Sequence, residues 1–427
     1  MRPENHLLCP GVHSMTLKDD RFKTAQLTVA LFLPLCADTV EENALLSRLL
    51  VRGCESYPDF TALQRRLAQL YGAAVNGDVA RIGETQAIIL SAECTADRFA
   101  LEGECPTAAC AQLLCDMLFR PALEEGLFRL QDVETERRCL AEEVAAQVNE
   151  KQWYARRQAE RLLCPEEAYG IGRFGRAARI AALTPEQMTA AWQRVLREAT
   201  VQLILQDTAA LPQVEQAFLE GFSHVAARRP VACATDTATR LPRLRRQTER
   251  MEVNQAKLVM GFRAGCAEPD ATVSATRLMS ALLGGTATSL LFRNVREKLS
   301  LCYYCSSQYD RIKGILFVQS GVEEANASRA EEEILRQIEA VQQGAFSDDD
   351  LEAARRCVMQ SFEAVGDSQE AIGSWYVAQG LAQQLQTPEE VRRQIAAVDR
   401  QQVIDAARRV TLECVYLLAP EEGEAHV

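Results

Sequence analysis

The sequence predicts an α+β fold made of two tandem homologous domains, each a mostly antiparallel sheet packed by helices. The first observation is a repeat in which Ile180–Met188 (IAALTPEQM) returns as Ile395–Val403 (IAAVDRQQV), 215 residues later. In the same order, Asp132–Cys139 (DVETERRC) returns as Asp350–Cys357 (DLEAARRC). The predicted strands of each half also follow one another across short turns, which is typical of antiparallel sheets. A repeat of this length indicates a duplicated domain.

In the first half, apolar runs predict strands, and apolar residues spaced three and four apart predict helices. Leu63, Leu67 and Leu70 share one helical face. Thr184 and Gln187 have the spacing of a capping box at the start of a later helix. The predicted elements in chain order are strand Gln26–Leu33, helices Glu42–Leu50 and Phe60–Tyr71, strands Ala73–Arg81 and Gln86–Cys94, helices Thr107–Leu118, Leu130–Leu163 and Pro185–Arg197, and strand Val201–Gln206.

The second half repeats these signals. Asp399 and Gln402 repeat the capping box, and the Trp-Tyr pair that begins at Trp153 returns at Trp375. The predicted elements in chain order are strand Lys257–Arg263, helices Val273–Leu283 and Ser289–Leu299, strands Tyr303–Asp310 and Ile315–Val322, helices Ala327–Gln343, Asp349–Val365 and Arg400–Val410, and strand Cys414–Ala419.

The repeat predicts domains at 1–225 and 250–427, joined by a linker at 226–249. The linker contains the basic run Arg240–Arg246 and has little apolar periodicity, as expected of an exposed connector. We assign this run no partner. The formal net charge of −12 makes nucleic acid a poor partner. Residues 1–24 show no signal-peptide core and no segment is long and apolar enough to span a membrane, so we expect a cytoplasmic protein.

The sequence has fifteen cysteines, which we interpret as reduced, small core residues because the number is odd and most lie in apolar segments. Cys302 and Cys305 have redox or metal spacing, but they lie in a predicted strand without a second pair, so core packing is favoured. Cys105, Cys110 and Cys115 recur every five residues on a predicted helix, which scatters them around its surface. These cysteines therefore predict no metal site.

The sequence has four histidines, and no two of them lie three or four residues apart: His6, His13, His224 and His426. A helical turn therefore cannot present a histidine pair to a zinc ion. The chain also contains no G-x-S-x-G, H-E-x-x-H or Walker motif. We expect no cofactor and no catalytic residue in this chain.

The segment Leu290–Tyr304 (LLFRNVREKLSLCYY), within two tandem α+β halves, resembles the second domain of the pitrilysin/insulinase family of metallopeptidases. The resemblance covers nearly the whole chain. It implies that Arg296 and Tyr303 contact bound peptide, through a guanidinium fork and a phenol hydroxyl. The residues alone favour a simpler reading, in which Arg296 pairs with a nearby Glu on its own helix and Tyr303 packs in a sheet.

Active members of that family carry an inverted zinc motif, H-x-x-E-H, on the helix after the first strand. The matching segment here places Ala44 and Arg48 where the histidine ligands would be, and Ser47 where the general base would be. The third ligand of the family corresponds to Glu143. We therefore expect a degenerate zinc site, in which Arg48 and Glu143 form an ion pair in place of the metal.

The resemblance extends to the non-catalytic member of the paired insulinase-like proteins of Gram-positive bacteria, which are associated with modification of elongation factor P. It implies a subunit that holds peptide at Arg296, Tyr303 and the edge strand near Asn76, while an active zinc-containing partner, or a second copy, completes the chamber. Two alternatives stay open. One is an active zinc endopeptidase with an atypical site at Glu142, Glu143 and a histidine, and the other is a stand-alone peptide-binding or scaffolding protein.

Overall fold

The computed structural model describes residues 3–208, 211–382 and 384–421. It confirms the α+β class. The strands are β1 Glu4–Cys9, β2 Val12–Lys18, β3 Thr24–Pro34, β4 Ala74–Ile82, β5 Thr85–Thr95, β6 Leu123–Glu124, β7 Leu127–Phe128, β8 Thr200–Asp207, β9 Arg245–Met251, β10 Ala256–Arg263, β11 Cys302–Asp310, β12 Ile315–Val322 and β13 Thr411–Pro420.

The α-helices lie between these strands and number fourteen in the described segments. They are α1 Val40–Leu50, α2 Phe60–Gln69, α3 Pro106–Phe119, α4 Leu130–Ala146, α5 Lys151–Leu163, α6 Ala177–Ile180, α7 Pro185–Glu198, α8 Pro212–Ser223, α9 Val273–Gly284, α10 Ala327–Gln342, α11 Asp348–Ala364, α12 Gln369–Val377, α13 Pro388–Ala397 and α14 Arg400–Arg408. A π-helical turn at Phe292–Lys298 follows α9.

The chain divides into two compact units that exchange one segment each. The first unit contains Met1–Ala145, Ile171–Ala234 and Asp367–Thr387, and the second contains Ala146–Gly170, Thr235–Gly366 and Pro388–Val427. The contiguous domains 1–225 and 250–427 expected from the sequence therefore differ from the observed units at α5 and α12. The predicted linker 226–249 also ends early, because its last residues belong to β9.

The first unit is built on a six-stranded sheet in the order β1-β2-β8-β3-β5-β4. All pairs are antiparallel except β2 with β8. Strand β3 is buried on both faces, which explains its nearly continuous apolar sequence. Its Leu27, Val29 and Leu31 belong to the main core under the helices, whereas Phe32 belongs to a second cluster with Tyr376 on the other face.

The exchanged helix α12 covers that second face of the first sheet, where it packs on β3 and β8. Polar side chains fix its start. Gln369 donates to the carbonyl of Thr24 at 2.9 Å, and the amide of Gln206 donates to the carbonyl of Gln369 at 2.9 Å. The first sheet therefore buries apolar side chains of this face under a helix that comes from the second half of the sequence.

The second unit is built on a five-stranded sheet in the order β11-β12-β10-β13-β9, with β13 and β9 parallel. This order matches β4-β5-β3-β8-β2 of the first unit strand for strand, including the position of the parallel pair. One contact recurs as well: Arg137 donates to the carbonyl of Leu183 at 2.9 Å, and Arg355 donates to the carbonyl of Val398 at 2.9 Å. The duplication seen in the sequence thus extends to topology and to individual hydrogen bonds.

Helix α5 is the exchanged helix of the second unit and packs on β10 and β13. A buried charge cluster follows it. Glu167 accepts from Arg263 and lies 2.5 Å from the Lys313 ammonium, and the Arg263 Nε donates to Glu413 at 3.2 Å. The four side chains are 0–6% exposed. Because each charge has an opposite partner, the cluster tolerates a burial that an isolated charge would not.

The structure corrects several sequence-based elements. The single helix predicted at Leu130–Leu163 is wrong, because a turn at Gln147–Asn149 separates α4 from α5. Both predicted capping boxes are confirmed, at Thr184 and at Asp399. The sequence reading missed five strands and four helices: β1, β2, β6, β7, β9, α6, α8, α12 and α13. No helix in the described segments has the combined length and apolar character that crossing a membrane requires.

Candidate functional site

Helix α1 carries three of the predicted site residues and lies tightly against strand β4. Asn43 on this helix donates to Gln86 of β5 at 2.8 Å, which fixes the helix on the sheet. At Gly77 of β4, an added Cβ atom would lie 1.9 Å from the carbonyl oxygen of Ser47. Only glycine allows the helix and this strand to approach so closely.

The three α1 positions hold no base and no metal-ligating side chain. Ala44 and Ser47 are each 1% exposed, and the Ser47 hydroxyl donates to the Ala44 carbonyl at 2.9 Å within the helix. The Arg48 guanidinium donates to the Glu143 carboxylate of α4. The ion pair expected from the sequence is therefore confirmed.

A second ion pair extends this contact along the same two helices. Arg52 lies 2.9 Å from Glu136 and 3.2 Å from Asp132, and Arg129 holds Asp132 from the other side at 2.6 Å. Each carboxylate on this face of α4 is thus neutralised by a guanidinium. Carboxylates that are paired in this way neither bind a cation nor activate a water molecule as a general base would.

Sequence reasoning missed Arg52 and its two partners, although a signal was present. Arg48 and Arg52 are four residues apart, and so are Asp132 and Glu136, so each pair lies on one helical face. Two helices with complementary charges at this spacing predict a ladder of ion pairs. No three His, Cys, Asp or Glu side chains come together as a metal site would require, within the part of the chain that the structure describes.

Asn76 is exposed on β4, the outermost strand at one edge of the first sheet, and pairs with Ser91 on the inner side only. The sequence placed Asn76 on an edge strand, and this location is confirmed. The outer backbone groups of such a strand can accept a further strand by main-chain hydrogen bonding. Whether peptide binds there stays a prediction.

Arg296 and Tyr303 line a cavity of about 370 Å³ in the second unit, together with residues that follow the π-helical turn and β12. Arg296 lies within that turn, its guanidinium 4.5 Å from the centre of the Phe292 ring. Its side chain is 40% exposed, and its Nε lies 3.5 Å from Glu297, so the simpler reading of a local acidic neighbour holds in part.

Tyr303 is 63% exposed, so the simpler reading that it packs within a sheet is wrong. The cause is a β-bulge: Cys302 pairs with Val322 and Tyr304 with Gly321, which leaves Tyr303 as the extra residue of β11. Ser300, just before this strand, has a φ of 50°, which is unusual for a residue other than glycine. A π-helical turn, a left-handed residue and a bulge therefore meet at one cavity, and each of these irregular features is common at functional sites.

Comparisons with known proteins agree with this geometry. Residues 182–357 match the family model described as the peptidase M16 inactive domain. The whole chain is similar to the probable inactive metalloprotease YmfF of Bacillus subtilis (strain 168), with 28% identity over 414 residues, which is 97% of each chain.

The chain is thus similar to members of the M16 peptidase family that are described as inactive.

Solved structures of similar fold share the architecture of this chain. A conserved protein from Enterococcus faecalis V583 matches with a TM-score of 0.87 and 24% identity, covering 98% of this chain and 99% of that one. A peptidase M16 inactive domain from Pseudomonas fluorescens matches with a TM-score of 0.79 and 15% identity, covering 99% of each chain. At these identities the likeness is one of fold.

Within the described residues, no histidine joins Glu142 and Glu143 in a group that could hold a metal ion. His6 lies 2.6 Å from Glu215, and the His224 ring pairs with the carbonyl of Glu220. His13 lies on β2, and Glu143 pairs with Arg48. His426, the fourth histidine, lies outside the described residues.

The ion pair between Arg48 and Glu143 is expected to contribute little stability. The side chains of Arg48 and Glu143 are 24% and 46% exposed, so solvent screens their attraction. A double-mutant cycle of Arg48→Ala and Glu143→Ala should give a coupling energy of about 1 kcal/mol or less, measured by urea unfolding. A coupling above about 2 kcal/mol would show that the pair is a structural clamp.

Proposed function

We propose that this chain is a non-catalytic peptide-binding subunit that completes the chamber of an active, zinc-containing M16 peptidase. The observation that carries the proposal is the exposed Arg296 and Tyr303 at one cavity on the open edge of the second sheet. The ion pairs of Arg48 and Arg52 at the degenerate zinc positions support a role without catalysis. The zinc would belong to the partner.

The chemistry of the cavity suits an extended peptide. Arg296 offers a planar set of donors to peptide carbonyls or to a carboxylate, and the Tyr303 hydroxyl can donate or accept one further hydrogen bond. Strand β11 forms the outer edge of its sheet, and β4 with Asn76 forms an edge of the other sheet. Backbone pairing at such an edge gives affinity for many sequences, while side-chain pockets select among them. A peptide-holding subunit needs both properties.

The partner is the part of this proposal most directly open to test. The chain would be purified through a tag from its own host, and the intact assembly would be weighed by native mass spectrometry. We expect a metal-free chain bound to a second subunit whose sequence contains H-x-x-E-H and which carries zinc. A zinc-loaded chain found alone would instead support the alternative of an active peptidase. A homodimer that recruits no such subunit would support the stand-alone binding protein.

We place the protein in the cytoplasm, and its thiols support this. All fifteen cysteines are free, and nine of them are buried, including Cys54, Cys164 and Cys414. Buried free thiols in this number are typical of a reducing compartment. Fractionation of the host cells, with the chain detected by antibody, would test the location.

Arg296→Ala is expected to weaken peptide cleavage by the reconstituted pair roughly tenfold to a hundredfold, through a higher KM. The reason is the loss of a charge-assisted hydrogen bond, worth about 1.5–3 kcal/mol. Tyr303→Phe removes one neutral hydrogen bond and should cost roughly twofold to tenfold. Steady-state kinetics on an unstructured peptide would measure both effects.

Arg293→Ala is the matched control for this experiment. Arg293 lies one turn earlier, and its guanidinium is occupied by Asp350 at 2.7 Å. It does not line the cavity. The control should therefore leave KM unchanged. Equal KM values for Arg296→Ala, Tyr303→Phe and the parent pair would refute the peptide-holding role.

A further inference from the structure

The bulge that exposes Tyr303 also brings two thiols to the same side of β11. In a regular strand, residues three apart point to opposite faces, so Cys302 and Cys305 would be separated by the sheet. The extra residue at Tyr303 reverses that alternation. Both cysteines consequently lie in the same hydrophobic cluster, at 8% and 5% exposure. Core packing, which the sequence predicted, is thus their first role.

Cys302 differs from Cys305 because it also lines the cavity, where it shares the wall with Arg296. Cys305 does not line the cavity. A guanidinium near a thiol at the wall of a cavity is a setting in which reactive cysteines are found. A second thiol nearby completes the arrangement seen at redox-sensitive cysteines.

The charges around Cys302 act in both directions. The Cys305 thiol donates a hydrogen bond to it, burial opposes ionisation, and the positive charge of Arg296 favours it; the net effect lowers the pKa of Cys302. Glu297 and Glu323 also line the cavity. Tyr304 of β11 lies near Lys257 of β10, whose ammonium is 5.7 Å from the centre of the Tyr304 ring. The hydrogen bond from Cys305 raises the pKa of that second thiol correspondingly.

We propose that Cys302 is a site of oxidation by hydroperoxides and that Cys305 resolves the product to a disulfide within β11. The inference does not rest on the peptide-holding role, since it concerns the oxidation state of two sulfur atoms. It assigns to the cavity a second ligand class, small peroxides, in addition to peptide. It also explains why a thiol pair of this spacing lies beside Arg296 in a strand that is otherwise ordinary.

Disulfide formation takes two steps, oxidation of Cys302 and then attack by Cys305. The Cys302 thiolate attacks one oxygen of the hydroperoxide, which breaks the O–O bond, leaves a sulfenic acid on Cys302 and releases an alcohol, or water when the oxidant is hydrogen peroxide. The Cys305 sulfur then attacks the Cys302 sulfur, the S–O bond breaks, and the oxygen leaves as water. Two thiols and one hydroperoxide give one disulfide, one alcohol and one water.

The test uses the full chain and hydrogen peroxide at one to five equivalents, followed by blocking of the remaining thiols and trypsin digestion. Trypsin releases residues 299–311, which contain both cysteines. We expect this peptide to lose two hydrogen atoms in mass, as an internal disulfide, before the four exposed cysteines Cys36, Cys105, Cys139 and Cys357 are modified.

Variants separate the two roles. Cys305→Ser should leave a sulfenic acid on Cys302 that reacts with dimedone, whereas Cys302→Ser should leave residues 299–311 unmodified. Cys94→Ser serves as control, because Cys94 also interacts with a second buried thiol, Cys110, but lines no part of this cavity. Oxidation confined to the exposed cysteines, with Cys302 recovered as a free thiol, would overturn the proposal.

Discussion

Glu167→Ala is expected to lower the free energy of unfolding by about 3–5 kcal/mol, the usual effect of removing one partner from a buried ion pair. The carboxylate is the shared partner of two cations, Arg263 and Lys313, whose side chains are 2% and 0% exposed. Without it, both cations keep their burial but lose their main counter-charge. Glu413 still contacts Arg263 at 3.2 Å, and Lys313 still donates to the carbonyl of Asp236, but neither contact replaces the carboxylate that the two cations share. Urea unfolding followed by circular dichroism would measure the effect.

Glu166→Ala provides the matched control, since this neighbouring residue is exposed. It should change the unfolding free energy by no more than about 0.5 kcal/mol. If Glu167→Ala were equally mild, the two cations would have to be compensated by water or by movement of the chain. That result would contradict our view that the Glu167 carboxylate stabilises the segment that follows α5.

The pH dependence of the same variant has a defined sign. Burial alone would raise the pKa of Glu167, but hydrogen bonds and charges from Arg263 and Lys313 outweigh it, and the pKa lies below its ordinary value of 4.5. The stabilisation is therefore complete above about pH 4.5 and is lost as the pH falls through the lowered pKa. The stability difference between the parent chain and Glu167→Ala should shrink accordingly below pH 4.5.

Gly77→Ala is expected to destabilise the first unit by about 3 kcal/mol, near the upper end of the range for overpacking. The added methyl group would lie 1.9 Å from the Ser47 carbonyl oxygen and 2.8 Å from its carbon. These are backbone atoms, so they cannot rotate away as a side chain would. Either α1 or β4 has to move, and the contacts beneath α1 are then lost. Thermal unfolding would detect this as a lower Tm.

Asn76→Ala is the control for that substitution, because its side chain is exposed on the same strand. It should leave stability within about 0.5 kcal/mol of the parent chain. Equal Tm values for the two variants would mean that α1 can slide along the sheet without cost. The close approach at Gly77 would then be incidental to the position of Arg48.

The sequence predicted the elements whose local pattern agrees with their final surroundings. The nearly continuous apolar sequence of β3 and the capping residues Thr184 and Asp399 are signals that do not depend on distant parts of the chain. Strand β9 was missed for the opposite reason. Its sequence is polar, and it forms the outer edge of the sheet with Arg246 and Arg250 paired to glutamates, so nothing in its pattern distinguishes it from a connector.

The exchange of helices could not be read from the sequence either. The apolar face of α5 requires a sheet to pack on, but its periodicity does not specify which of two similar sheets that is. The choice depends on partners far along the chain, such as Glu249, which accepts from Tyr154 and Tyr416 at 2.7 Å each. At the cavity, the motif led to Arg296 and Tyr303, whose contact with peptide stays a prediction. The bulge that exposes Tyr303 could not be read from the motif, because it depends on the register of β11 with β12.

The position of α12 has a consequence for how the protein is made. The strands of the first sheet are complete when Asp207 has been synthesised, yet the helix that covers Phe32 and Ile204 belongs to Asp367–Thr387. At typical rates of translation, that helix leaves the ribosome roughly 10–35 s later. During this interval the face of the first sheet that α12 covers is still exposed, so the first unit is completed only after most of the second unit has been synthesised.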